Sequence, residues 1–223
     1  MLNVKNASRS YGNKTILHNL NFTVQPGEII GLVGENGAGK STLLNILASI
    51  QKPSSGTIHL NNLNSTKEKK LYRKLVGFVP QDLAIWDTLT VRENMLFFEK
   101  LGWVKKSESN LRTICKEMAL DKWNEQTATL SGGQKRKLNL AISLIHEPAL
   151  LLLDEPTVGI DMRSKAEIIA YLKQIAFIQK TMILYTSHDM DEIKNLCHRV
   201  ICIGNDPFYQ QLLESANKPI ISF

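Results

Sequence analysis

Cysteine is scarce in this sequence. Cys115, Cys197 and Cys202 are the three, and none forms a CxxC pair. Their odd number argues against a disulfide framework, so they are expected to be small buried hydrophobes. Long apolar runs are missing as well. No stretch is apolar and long enough to span a bilayer, and the opening MLNVKNASRSYGNK lacks the apolar core of a secretory signal. The expectation is a cytosolic chain with neither signal peptide nor transmembrane segment. An internal repeat, a low-complexity tract, a linker and a long heptad insertion are all lacking.

What is present is ordinary for a globular protein. Of 223 residues, 43% are hydrophobic and 22% charged, enough for one sizeable core with a smaller insertion. The net charge is +6. Its densest basic runs are Lys67-Glu68-Lys69-Lys70, Lys105-Lys106 and Lys135-Arg136-Lys137, and no aromatic residues interleave with them. Nucleic acid is therefore not an expected partner. A solvated basic face near anionic lipid fits the pattern better.

Short runs rich in Val, Ile and Leu alternate with helical patterns. Ile29–Val33, Val76–Val79, Leu150–Leu153, Thr181–Tyr185 and Val200–Ile203 read as strands covered on both faces, hence a parallel sheet. In Met162–Gln179, Ile168, Leu172, Ile175 and Ala176 recur at helical spacing. So do Leu138, Ala141, Ile142 and Ile145 after Ser131. Near the N-terminus, Asn3–Ala7, Leu20–Val24 and Thr57–Leu60 read as short strands separated by turns at Pro26-Gly27 and Pro53-Ser54-Ser55-Gly56. The expected fold is α/β: a P-loop core with a mostly parallel sheet, an N-terminal antiparallel β layer and an inserted α-helical subdomain. The core takes residues 1–88 and 149–223, and the helical subdomain 89–148.

After the strand Ile29–Val33 comes GENGAGKST, then the helical pattern LLNILASI. This matches G-x-x-x-x-G-K-S/T in its required strand–loop–helix setting. A triphosphate is wrapped by successive backbone amides only where the chain turns tightly without Cβ atoms, which Gly34, Gly37 and Gly39 permit. Asn36, Ala38 and Thr42 complete the loop. Lys40 is expected on the β- and γ-phosphates and Ser41 on Mg²⁺. The helix beginning near Lys40 turns its positive end to the phosphates. Asp154 and Glu155 follow four consecutive leucines. Asp154 is expected to meet the metal and Glu155 to polarise the attacking water.

LSGGQ at Leu130–Gln134 narrows the field. It resembles the signature motif of ABC ATPases, and the resemblance covers essentially the whole chain. Tyr11 matches the family's adenine-stacking aromatic, Gln81 its Q-loop glutamine, Asp161 its D-loop aspartate and His188, in TSHD, its switch histidine. The resemblance implies that Gln81 contacts Mg²⁺ and the water, and that its loop senses a transmembrane partner. It implies that His188 contacts the γ-phosphate. It also implies that Ser131, Gly132, Gly133 and Gln134 complete the ATP site of a facing subunit, homologous or identical, in a head-to-tail dimer. Taken alone, SGG at a helix start is an ordinary N-cap. Trp86 reads as core filling, with a place in the partner's groove as the alternative.

The implied function is an ATP-hydrolysing, Mg²⁺-dependent subunit on the cytoplasmic face of the membrane, working with a separately encoded permease. EPTVGID and the short chain after His188 resemble bacterial exporters of drugs, peptides or lantibiotics, so export is expected over import. A nucleic-acid or ribosome-acting relative is the alternative. Those chains carry two such domains, coiled coils or zinc insertions, none of which occurs here. A regulatory ATP sensor without turnover is disfavoured by Glu155 and His188.

Overall fold

The computed structural model describes residues 1–204, 207–214 and 218–222. The chain opens with a hairpin of β1 (Leu2–Tyr11) and β2 (Lys14–Val24), which turns at Gly12 with φ 56°. Leu2, Val4, Ala7, Leu17, Leu20, Phe22 and Val24 are buried and the residues between them largely face outward. After β3 (Ile29–Val33) and α1 (Lys40–Leu47), β4 (Ser55–Leu60) pairs antiparallel with β1, and the two-residue β5 (Leu63–Asn64) adds to it. Among the described residues this gives a four-stranded antiparallel layer ordered β2-β1-β4-β5. β1 and β2 are both longer than the sequence reading allowed, because their outward residues are polar and hide the strand pattern.

Next come α2 (Lys69–Arg73), β6 (Val76–Val79), α3 (Val91–Leu101), α4 (Glu108–Glu117), a short 3-10 turn at Thr127–Thr129 and α5 (Gly132–Ser143). The chain continues through β7 (Leu150–Leu153), α6 (Met162–Gln179), β8 (Met182–Thr186), α7 (Met190–Leu196), β9 (Arg199–Cys202), α8 (Pro207–Glu214) and β10 (Ile220–Ser222). Among the described residues, six strands form an all-parallel sheet ordered β10-β9-β3-β8-β7-β6.

Alternate residues of each strand serve two cores. Ile30, Leu32, Leu150, Leu152 and Leu184 face α1 and the antiparallel layer. Ile29, Leu151, Leu153, Ile183 and Tyr185 face α5, α6 and α7. Each such fully buried leucine or isoleucine stabilises the fold by roughly 2 kcal/mol. All three cysteines are buried, as expected.

Two expectations fail here. Trp86 is 54% exposed and meets Phe97 edge to face at 6.2 Å between ring centroids, so it is not core filling. It lies in the irregular segment before α3, which runs over the surface. The run Lys135-Arg136-Lys137 is not a solvated face either. Lys135 pairs with Asp87 at 2.7 Å, Arg136 donates to the Gln81 carbonyl, and the buried Lys137 pairs with Glu167. Among the described residues no helix is long and apolar enough to cross a membrane.

Candidate functional site

Four parallel strands end at one edge of the sheet, and the candidate residues follow directly from them. The Gly34–Gly39 loop leaves β3, Gln81 lies just past β6, Asp154 and Glu155 follow β7, and Ser187 and His188 follow β8. The carboxyl edge of a parallel sheet is the usual place for a ligand in such folds.

The loop after β3 needs its glycines for space as well as for turning. At Gly34, φ is 146° and a Cβ would lie 2.3 Å from the Ile203 carbonyl oxygen. At Gly39, φ is 112° and a Cβ would meet Ile16 and Leu17 side chains at 2.9 Å. As the N-cap of α1, Gly39 has no side chain to satisfy the helix's first amides, which leaves them for an anion. Lys40 is buried, and its ammonium donates to the carbonyls of Gly34 at 2.7 Å and Glu35 at 3.0 Å. Burial pushes its pKa down, while the charges of Glu155 and Asp154 act the other way.

Asp154 is buried, and its Oδ1 accepts from the Thr186 hydroxyl at 2.9 Å. The amide of Glu155 donates to the same hydroxyl oxygen at 2.8 Å. The Glu155 carboxylate lies 2.7 Å from His188 Nε2 through Oε1 and accepts from Gln81 Nε2 at 3.3 Å through Oε2. Glu155 itself has φ 50°, in the left-handed region that side chains other than glycine rarely adopt. A cavity of about 350 Å³ gathers Asn36, Gly37, Gly39, Lys40, Ser41, Thr42, Gln81, Glu155 and His188.

Other expected residues lie outside that cavity. Gly34, Ala38 and Asp154 do not line it, though the Asp154 charge acts on Lys40. Tyr11 is 45% exposed, its hydroxyl donates to Gln51 at 2.5 Å, and Arg9 covers its ring at 4.4 Å. Ser131 caps α5: its hydroxyl accepts from the Gln134 amide, and Gln134 Oε1 accepts from the Ser131 amide at 2.9 Å. Gly133 packs on α6, where a Cβ would lie 2.3 Å from Ser164 Oγ. Asp161 caps α6 by accepting from the Ser164 amide at 2.9 Å.

Two contributors were not legible beforehand. Thr186 binds both acidic residues, and Arg136 Nη1 reaches the Gln81 carbonyl at 2.5 Å. The threonine's place at a strand end, as the first residue of TSHD, was the available signal for the first. For Arg136 there was none, because its partner is 55 positions away.

The profile of a family described as "ABC transporter" matches residues 17–158. The chain is 37% identical over 203 residues to the linearmycin resistance ATP-binding protein LnrL of Bacillus subtilis (strain 168), covering 90% of this chain. It is also 37% identical over 205 residues, 91% of this chain, to the Nod factor export ATP-binding protein I of Rhizobium etli. It spans 65% and 64% of the length of these two relatives. Among solved structures, a dimeric ATP-binding cassette in a post-hydrolysis state bound to ADP and Pi superposes with a TM-score of 0.80. That structure is 26% identical, and the match covers 91% of this chain and 94% of the other.

Proposed function

The chain belongs to the ABC transporter family, and from that premise we propose that it is an ATP-binding and ATP-hydrolysing subunit that energises export through a separate transmembrane polypeptide. The observation that carries the reading is the meeting of Lys40, Gln81, Glu155 and His188 around one cavity, beside helix amides left without a cap. A phosphate chain fits such a cradle. Export is supported by the two relatives named for linearmycin resistance and Nod factor export.

In this reading the loop amides and the Lys40 ammonium hold the triphosphate, exchanging the Gly34 and Glu35 carbonyls for phosphate oxygens. Glu155 takes up a proton from the attacking water, and Gln81 and His188 fix its two carboxylate oxygens. His188 then steadies charge as it develops on the γ-phosphate. The Ser41 hydroxyl, the Gln81 amide oxygen and the Asp154 carboxylate form a hard-oxygen donor set suited to Mg²⁺, which when bound neutralises phosphate charge. Tyr11 offers the ring face not covered by Arg9 to the adenine.

The capped turn Ser131-Gly132-Gly133, with Gln134 and Asp161, lies apart from its own chain's cavity and would complete the site of a second subunit in a head-to-tail dimer. ATP favours the closed pair, and its hydrolysis releases it. The exposed Trp86 and Phe97 supply a surface for the membrane partner, which would hold the chain at the cytoplasmic face. The division into a core of 1–88 and 149–223 and a helical subdomain of 89–148 belongs to the same reading. Its support is that α3, α4 and α5 all fall in the second part.

Glu155→Gln tests the reading. The variant should bind ATP normally, hydrolyse it about 100-fold more slowly or worse, and run as a dimer with ATP and Mg²⁺ in size-exclusion chromatography. Hydrolysis at the normal rate would remove Glu155 from the mechanism.

A further inference from the structure

A second carboxylate lies beneath the Glu155–His188 pair, and the mechanism above makes no use of it. Glu192, in the first turn of α7, is buried. It accepts from Thr157 Oγ1 at 3.0 and 2.9 Å, from the Tyr185 hydroxyl at 2.7 Å and from Ser187 Oγ at 2.7 Å. Lys165 Nζ of α6 lies 2.7 Å from its other side and also bonds Asp189 at 2.9 Å. Thr157, Tyr185 and Ser187 are themselves buried.

Placing a charge in a core costs several kcal/mol unless every lone pair is used, and apolar residues of the same volume would serve packing as well or better. What the charge adds is direction. Four donors on three separate segments can meet one carboxylate in only one arrangement. Two of those donors stand beside the chemistry: Thr157 is two residues past Glu155, and Ser187 immediately precedes His188. Lys165 ties the same point to the first turns of α6, whose cap is Asp161.

We propose that Glu192 is a positioning residue, which holds the Thr157 and Ser187 flanks so that Glu155 and His188 keep their 2.7 Å contact. The inference rests on the reading of those two residues as the hydrolytic pair. It makes the turn from Thr157 to Asp161, the His188 loop and α6 one mechanical unit, so that movement of the turn at a subunit interface reaches the Glu155 carboxylate.

The test is a double-mutant cycle on the purified protein, comparing Glu192→Gln, His188→Ala and the double variant by kcat, KM for ATP and melting temperature, with single-turnover measurement where rates are low. Glu192→Gln should lower kcat about tenfold with KM nearly unchanged, and should add less than about twofold once His188 is gone. An undiminished effect in the His188→Ala background overturns the proposal. So does a lower melting temperature with unchanged kcat, which would make Glu192 a packing residue. If Glu192→Gln fails to fold, Tyr185→Phe enters the same cycle. It removes one hydroxyl and keeps the ring, and a fall in kcat of about threefold that vanishes without His188 is expected. Normal turnover by His188→Ala would instead sink the assignment of the hydrolytic pair, a result separable from a silent Glu192→Gln beside an inactive His188→Ala.

Discussion

Lys40 has its charge held by two carbonyls of the loop it follows, and burial works against that charge. The loop is thus closed around its own lysine, ready to trade carbonyl oxygens for phosphate oxygens. Lys40→Ala removes both the charge and the brace. It should weaken ATP binding at least about 100-fold, measured by titration with a fluorescent ATP analogue, and unchanged affinity would refute its place on the phosphates. Residues such as Lys40, Glu155 and His188 were legible because their motifs are local and their chemistry leaves few substitutes. Arg136 and Glu192 were not, since what marks each is a neighbour in space, and Thr186 had only its strand-end place as a signal. Tyr11 was expected only through resemblance, because an exposed aromatic alone says little, and it lies outside the cavity.

Of the strands that read as unbroken apolar runs, β3, β6 and β7 match their expected bounds, β8 begins and ends one position later, and β9 one position earlier. Burial on both faces makes such strands visible in sequence. The antiparallel pair β1 and β2, polar on one side, showed only its central stretch. Between helices, the contact of α5 with α6 depends on Gly133 having no side chain. In Gly133→Ala the new methyl would press on Ser164, part of the first turn that Asp161 caps. We expect a loss of about 1–3 kcal/mol in urea unfolding, with ATPase activity falling further than stability. A variant as stable and active as the parent would mean that the crossing adjusts freely. Ser131→Ala, which removes the α5 cap, should cost about 1 kcal/mol in the same measurement.

Across the whole molecule, the paired carboxylates set the response to acid. Burial pushes Glu192 up, but Lys165 and the three hydroxyls outweigh it and hold the group below its ordinary value. Glu167 is held low by Lys137 first, with Arg163 adding to it. A depressed carboxylate lends stability above the unfolded-state value, and that stability is lost as pH falls through the folded-state value. Urea midpoints should therefore fall as the pH drops below about 4.5. Glu192→Gln should flatten that fall. A midpoint that rises on acidification would contradict the sign. The layered α/β plan followed from the alternation of runs. The way one sheet's opposite faces divide the core, one packing on α5, α6 and α7 and the other on α1 and the antiparallel layer, did not, because it depends on strand order.

The left-handed backbone at Glu155 has one more consequence. The chain would rest more comfortably there with glycine or asparagine, by about 1 kcal/mol. A Glu155→Gly protein should outlast its parent on heating while having lost its reaction, so this position is kept by what it does and at some expense to how firmly the molecule holds together.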